Sequence, residues 1–191
     1  MSWRATVRHG ACEAPAGLAL LQDLLNTRGI TVQAQDLLAR PEEAQRWVTE
    51  ALTTWSRVSR LPSPVLLLSS TDVGALRRLR ATFENVVLAR GRQEEPEGTL
   101  LPANIPVSLV PDADGWVRMI PTGRGTRWLA SALWTEALLA QQTGLWPRLK
   151  LCRNRHCRAA YFDTSYRNSV PWHEAVTCAD TAIVRRLAQH R

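Results

Sequence analysis

The sequence predicts an α+β fold, mostly helical. A helical region with one β-hairpin covers residues 1–147, and a small module of a hairpin knuckle plus a helix covers 148–191. Three observations lead there. Apolar residues recur at helical spacing in four stretches before residue 147. Two short apolar runs flank the turn-forming sequence Pro111-Asp112-Ala113-Asp114-Gly115. Three of the four cysteines and one of the four histidines gather near the C-terminus in the spacing C-x4-C-x15-H-x4-C.

The elements follow in order. Gly17–Thr27 reads as an amphipathic helix with Leu18, Leu21 and Leu25 on one face, Leu24 beside them and Gly29 as a stop. A second helix starts at Pro41, whose fixed φ suits the first helical position, with Glu42 and Glu43 at the positive helix end. It turns Trp47, Val48, Ala51 and Leu52 inward. Leu61–Ser70 interrupts the helices with two prolines, and Val65–Leu68 is too short to classify. Thr71 or Asp72 caps a third helix that runs to about Arg90, with Val73, Leu76, Leu79, Phe83, Val86 and Val87 on its apolar side. Gly91–Ala103 reads as an exposed loop. Pro106–Val110 and Trp116–Ile120 then make the hairpin, with Trp116 on its inner face. Arg124–Thr143 is a fourth helix carrying Trp128, Leu129, Ala132, Leu133, Ala137 and Leu138, ended by Gly144, and Trp146-Pro147 marks the domain boundary. Trp47, Trp128 and Trp134 stand at helical spacing beside leucines and read as core rather than as base-stacking platforms.

Bulk properties narrow the function. A 45% hydrophobic content is that of a globular chain, and no apolar run reaches the roughly 18–20 residues of a membrane span. The first residues lack the charged-then-apolar order of a signal peptide, so the expected location is cytoplasmic, where clustered thiols bind metal more often than they pair. The net charge of +7 is unevenly spread. Residues 148–191 hold nine cations against three anions, and Lys150 is the only lysine in the chain. Arginine forks onto phosphates and guanine edges, which makes nucleic acid a natural partner for such a module. A merely solvated basic surface is the plainer reading.

Two pairs of soft ligands, Cys152/Cys157 and His173/Cys178, suit a tetrahedral Zn2+ ion. Leu149–Leu151 and Ala159–Phe162 flank the first pair as a hairpin-like knuckle, and Asp163-Thr164-Ser165 turns the chain. The second pair lies at or just before a last helix, Ala179–His190. Four protein donors leave no position for water, so the zinc is expected to be structural, a staple for a segment too small to fold alone. His156 is a rival ligand, read instead as a surface residue. Trp172 packs over the knuckle, and Cys12 is a free thiol far away in sequence.

The run Leu151–Ser165, LCRNRHCRAAYFDTS, followed by Trp172 and the second pair, resembles the C-terminal zinc finger of the CGNR family. LQDLLNTRG, DLLARPEEAQRWV and the Trp-rich helix before the finger resemble that family's partner, the ABATE domain, so the resemblance covers nearly the whole chain. It implies a bacterial, stress-induced transcription regulator with a DNA-binding finger. Two departures stand out. His173 takes the place of a family cysteine, and the signature after the last ligand reads Cys178-Ala179-Asp180-Thr181, without its Gly, Asn and Arg.

The leading expectation is therefore a regulator that binds double-stranded DNA through Arg153, Arg155, Arg158, Arg167, Arg185 and Arg186, with an N-terminal region for effector sensing or assembly, such as a homodimer. The alternative is a zinc-stapled adaptor that binds a protein partner and no DNA. No enzyme is expected: the carboxylates are dispersed, and neither a phosphate-binding glycine loop nor a nucleophile elbow occurs. No membrane partner is expected either.

Overall fold

Helix α2, Leu18–Leu25, is the hub of the molecule: all eight of its residues are buried. It was expected to be amphipathic, with one leucine face. Instead its polar side is buried as well, because every polar group there has a partner. The Asp23 carboxylate accepts the Thr6 N–H and the Trp47 Nε1–H, both at 2.8 Å. Gln22 and Asn26 both reach Ala160, in the C-terminal part of the chain. At the far end of the helix the Arg8 guanidinium donates to the carbonyls of Asn26, Thr27 and Arg28 at 2.7–2.8 Å, placing a cation on the negative end of the helix.

The computed structural model describes residues 2–29, 35–89 and 104–174, together with Val176 and Cys178. The expected loop at 91–103 and last helix at 179–190 lie outside the described residues, as do Arg185 and Arg186. A short helix, α1 (Arg4–Val7), not foreseen in the sequence, precedes α2. Helix α3 (Pro41–Ser59) has Pro41 at its start and Glu42 and Glu43 in its first turn, and it buries Trp47, Val48, Ala51, Leu52 and Trp55. Arg60, in the left-handed region at φ 56°, ends it, and 61–69 continues without regular structure.

Helix α4 (Ser70–Ala89) starts under a reciprocal cap. Ser69 Oγ accepts the Asp72 N–H at 3.3 Å, and the Asp72 carboxylate accepts the Ser69 N–H at 2.8 Å. Ser69 is thus the capping residue, where the sequence suggested Thr71 or Asp72. Arg80 is buried among the apolar residues of α4 because its guanidinium meets Asp36 in a two-pronged pair at 2.7–2.8 Å and donates to Thr27 Oγ1 at 2.8 Å.

Strands β1 (Val107–Pro111) and β2 (Val117–Pro121) form an antiparallel hairpin, with Leu109 opposite Met119. Trp116 does not face inward. It is 74% exposed at the hairpin tip, since among the described residues no second layer covers that end of the two-stranded sheet. Helix α5 (Thr126–Gln142) buries Trp128, Leu129, Ala132, Leu133 and Ala137, but Leu138 is 44% exposed and Glu136 is buried in its stead. Gly144, at φ 71°, follows the helix as its sequence position suggested. No helix among the described residues is long and apolar enough to cross a membrane.

Burial raises the pKa of Glu136, against the pull of the Trp55 Nε1–H donated to it at 2.7 Å. Its carboxylate also lies against Gly17, so a Cβ at that position would land on the carboxyl group. Gly17 has φ −70°, so the constraint there is space and not backbone conformation. Gly17→Ala should displace Glu136 and strand the Trp55 donor, costing about 2 kcal/mol. Urea unfolding of Gly17→Ala, Glu136→Ala and the double variant tests this. The second substitution should add little to the first if both remove the same contact.

A turn of 3-10 helix, Trp146–Arg148, leads into strand β3 (Leu149–Leu151), which pairs antiparallel with β4 (Ala160–Phe162). This second hairpin works on two faces, as alternation in a strand requires. Leu149, Leu151, Ala160 and Phe162 join the main core with α2, α3, α4 and α5. Tyr161, with Ala159 and Ala11, instead joins a small cluster around the cysteines. The hydrophobic core therefore continues across residue 147.

Candidate metal centre

The C-terminal hairpin carries the first ligand pair at its tip. Cys152 follows β3 and Cys157 precedes β4, with Cys152 N–H donating to Ala159 O at 2.8 Å. Between them Asn154 forms a tight turn: its carbonyl accepts the Cys157 and Arg158 N–H groups at 2.9 and 3.0 Å, and its Oδ1 accepts the His156 N–H at 3.0 Å. Arg158 then takes the left-handed conformation at φ 58°. The Ala159 N–H turns back onto Cys157 Sγ at 3.4 Å, a donor suited to a thiolate.

The second pair arrives along a loop organised by Asp163. Lys150 Nζ donates to its Oδ2 at 2.6 Å, the Val170 N–H to the same oxygen at 2.9 Å and the Ser165 N–H to its Oδ1 at 2.9 Å. Burial works against this carboxylate, but those donors outweigh it and hold its pKa down to about 2. The loop is tied to the hairpin by Tyr161 Oη, which donates to Val170 O at 2.6 Å, and by the Arg153 N–H, which donates to Pro171 O at 3.1 Å. Asn154 Nδ2 donates to Cys178 O at 3.3 Å and thereby joins the two ligand pairs directly. Trp172 packs against the cysteine cluster, as expected.

Cys152, Cys157, His173 and Cys178 converge with their donor atoms all within 4.8 Å of one another. His173 Nδ1 stands 3.4 Å from Cys157 Sγ and 3.5 Å from Cys178 Sγ. A tetrahedral zinc with bonds of about 2.3 Å to sulfur and about 2.0 Å to nitrogen has S···N edges of about 3.5 Å, so the donor set fits the ion. The three sulfurs are buried, which limits access of water to the centre. A hydrogen bond from Cys157 lowers the pKa of the Cys152 thiol, and the same bond pushes Cys157 upward. One thiolate forms readily in such a cluster, and a cation is what allows the others to lose their protons as well.

His156 is exposed and takes no part in the cluster, and Cys12 is an exposed free thiol. Arg153, Arg155 and Arg167 are exposed and Arg158 is half-buried. Sequence reasoning missed Asn154, and it missed Ala11, which packs beside the sulfurs. A buried Asn two residues after a ligand cysteine carries no signal distinguishing it from a loop residue.

A closed three-sulfur, one-nitrogen centre at the tip of a short hairpin defines a zinc-knuckle type of module. Residues 148–191 match the family model of the CGNR zinc finger. No curated protein matches the chain. The family match and the cluster together point to a bound metal, with zinc the ion that the donor set suits.

Proposed function

We propose that the chain is a DNA-binding transcription regulator whose finger is held in shape by one structural zinc ion on Cys152, Cys157, His173 and Cys178. Arginines around the metal grip the duplex. The observation that carries this reading is a group of uncommitted arginine side chains that lie in sequence between the first metal ligand and the third. In the helical region Arg4, Arg28, Arg46 and Arg80 pair with carboxylates, and Arg8 and Arg77 are spent on backbone carbonyls. The side chains of Arg40, Arg60, Arg78, Arg124 and Arg127 are uncommitted among the described residues but scattered along the chain. On the finger, Arg148 is spent on the carbonyls of Asp163 and Ser165. The guanidinium groups of Arg153, Arg155, Arg158 and Arg167 have no hydrogen bond or ion pair among the described residues. Uncommitted guanidinium groups on a rigid module suit phosphate binding.

With four protein donors no coordination position remains for water, so the reading carries no catalytic role. The resemblance to the ABATE domain supports an assembly or effector-sensing role for the helical region. Reduced thiols suit the cytoplasm.

The test is fluorescence anisotropy on random-sequence duplex DNA with the zinc-loaded protein. If the four arginines each neutralise one phosphate, affinity should fall about 100-fold between roughly 50 and 200 mM salt. Replacing all four with glutamine should flatten that dependence. A wild-type affinity that ignores salt, or no binding at low salt, would sink the proposal.

One observation favours the adaptor reading. The β1–β2 hairpin exposes Leu109, Trp116 and Val117 by 66%, 74% and 65%. Such a surface suits a protein partner. Under that reading Trp116→Ser removes a partner while DNA binding is absent throughout.

A further inference from the structure

One peptide group touches both the metal centre and the central helix of the body. The Ala159–Ala160 peptide presents its carbonyl to the knuckle, where Ala159 O accepts the Cys152 N–H at 2.8 Å. Its N–H points the other way, into the body, and donates to Asn26 Oδ1 at 2.8 Å. Asn26 Nδ2 donates in turn to Ala160 O at 2.9 Å, so the carboxamide pairs with Ala160 as a neighbouring strand would. Gln22, one turn earlier on α2, donates to Ala160 O at 3.1 Å and to Cys12 O at 2.7 Å. Asn26, Gln22 and Ala160 are all at most 1% exposed, so water does not replace these bonds. The residue before Ala160 carries the N–H that faces Cys157 Sγ.

We propose that Asn26 is a positioning residue for the metal centre: its carboxamide fixes the plane of the Ala159–Ala160 peptide and, through it, the spacing of Cys152 and Cys157. The proposal rests on the metal reading above. The two ends of this peptide cannot move independently, because it is planar and stiff. A rotation that frees the Asn26 side also tilts the carbonyl holding Cys152, and the N–H held against Cys157 belongs to the peptide joined to it at the Ala159 Cα. Asn26 is the C-terminal capping residue of α2, so the central helix sets the ligand spacing of a site 134 residues further along the chain. Linkage makes the effect reciprocal: whatever Asn26 contributes to metal affinity, the bound metal returns as stability of the contact with α2.

The test uses the full chain with zinc and cobalt as probes. Zinc affinity is measured by competition with a chromogenic chelator, and the cobalt visible spectrum reports the shape of the tetrahedron. Asn26→Ala should weaken zinc binding by about 10- to 100-fold, the range seen when a group supporting a ligand is lost, and should shift the cobalt bands. Leu20→Ala is the control. Leu20 lies roughly opposite Gln22 on the helix, so it destabilises the core and leaves the cobalt spectrum of the folded protein unchanged. If Asn26→Ala does not fold, Gln22→Met takes its place. A several-fold loss of zinc affinity in that variant supports the proposal, and an unchanged affinity overturns it. A wild-type chain that binds no zinc defeats the metal reading. A wild type that binds zinc, with Asn26→Ala matching it in affinity and spectrum, defeats the positioning role alone.

Discussion

A Cys157→Ser protein is expected to purify with no zinc, where the wild type carries one ion per chain by elemental mass spectrometry. Removing one sulfur costs more than one bond. The Ala159 N–H exchanges a thiolate for a neutral hydroxyl on a shorter bond, and Cys152, Cys178 and His173 Nδ1 are left packed together at ligand distances with no ion to neutralise the sulfurs. Structural zinc contributes about 10–16 kcal/mol of binding free energy in isolated fingers, and a three-donor site forfeits most of it. The damage should be graded along the chain. Leu149, Leu151 and Phe162 belong to the main core, so the strands keep their places. Residues 164–174 are held mainly by the Asp163 loop and by the ligand His173, and their amide protection against exchange should fall by orders of magnitude. Helical circular dichroism should change little. Substitutions at position 173 sharpen the point. His173→Ala should lose the ion and His173→Cys should keep it, because a fourth thiolate completes the tetrahedron while raising the charge of the centre from about −1 to about −2. A Cys157→Ser protein that still holds one zinc per chain would remove this residue from the ligand set.

The Cys/His cluster was legible in the sequence because zinc chemistry admits few residue types and the chain spends them sparingly. Three of four cysteines fall in one C-terminal stretch, and the structure brings all of them to His173. Helices α3, α4 and α5 were legible for a similar reason, since their apolar residues follow one period and face one core. The polar residues of α2 were not. Gln22, Asp23 and Asn26 look like the solvent side of an amphipathic helix until their partners are known, and those partners include Trp47 on another helix and Ala160 near the other end of the chain. Periodicity reports which residues avoid water and says nothing of polar groups that find partners away from it. Trp116 failed in the opposite direction. An aromatic beside a strand was given an inner face, but a two-stranded hairpin has one only where something packs on it. Arg80 and Glu136 are charged residues inside apolar stripes, and each is explained by its partners, Asp36 and Thr27 for the first and Trp55 for the second.

Trp47→Ala should be among the most destabilising substitutions in the helical region, because it combines a cavity with an orphaned carboxylate. Trp47 is fully buried and ranks with the largest side chains that are. Truncating a buried tryptophan costs about 3–5 kcal/mol through lost burial and an imperfectly filled void. In addition, Asp23 loses one of its two close donors. Trp47→Phe separates the contributions, since the ring fills much of the space but offers no N–H. It should cost about 1–3 kcal/mol, the penalty for a buried polar group left unpaired. The two components also differ in pH dependence. Burial raises the Asp23 carboxyl to about 6, against the pull of the Trp47 N–H. The folded protein therefore binds this proton more tightly than the unfolded chain, whose carboxyl titrates near the ordinary value of about 3.9. Wild-type stability from this group is fully present below about 4 and is lost as pH rises through about 6. Removing the donor raises the folded pKa further, so the Trp47→Phe protein keeps losing stability at pH values where the wild type has levelled off. The gap between the two proteins in urea unfolding should be wide at pH 8 and should narrow as pH falls through about 6. A gap that stays constant between pH 8 and pH 5 would mean that the indole matters to Asp23 only through its volume.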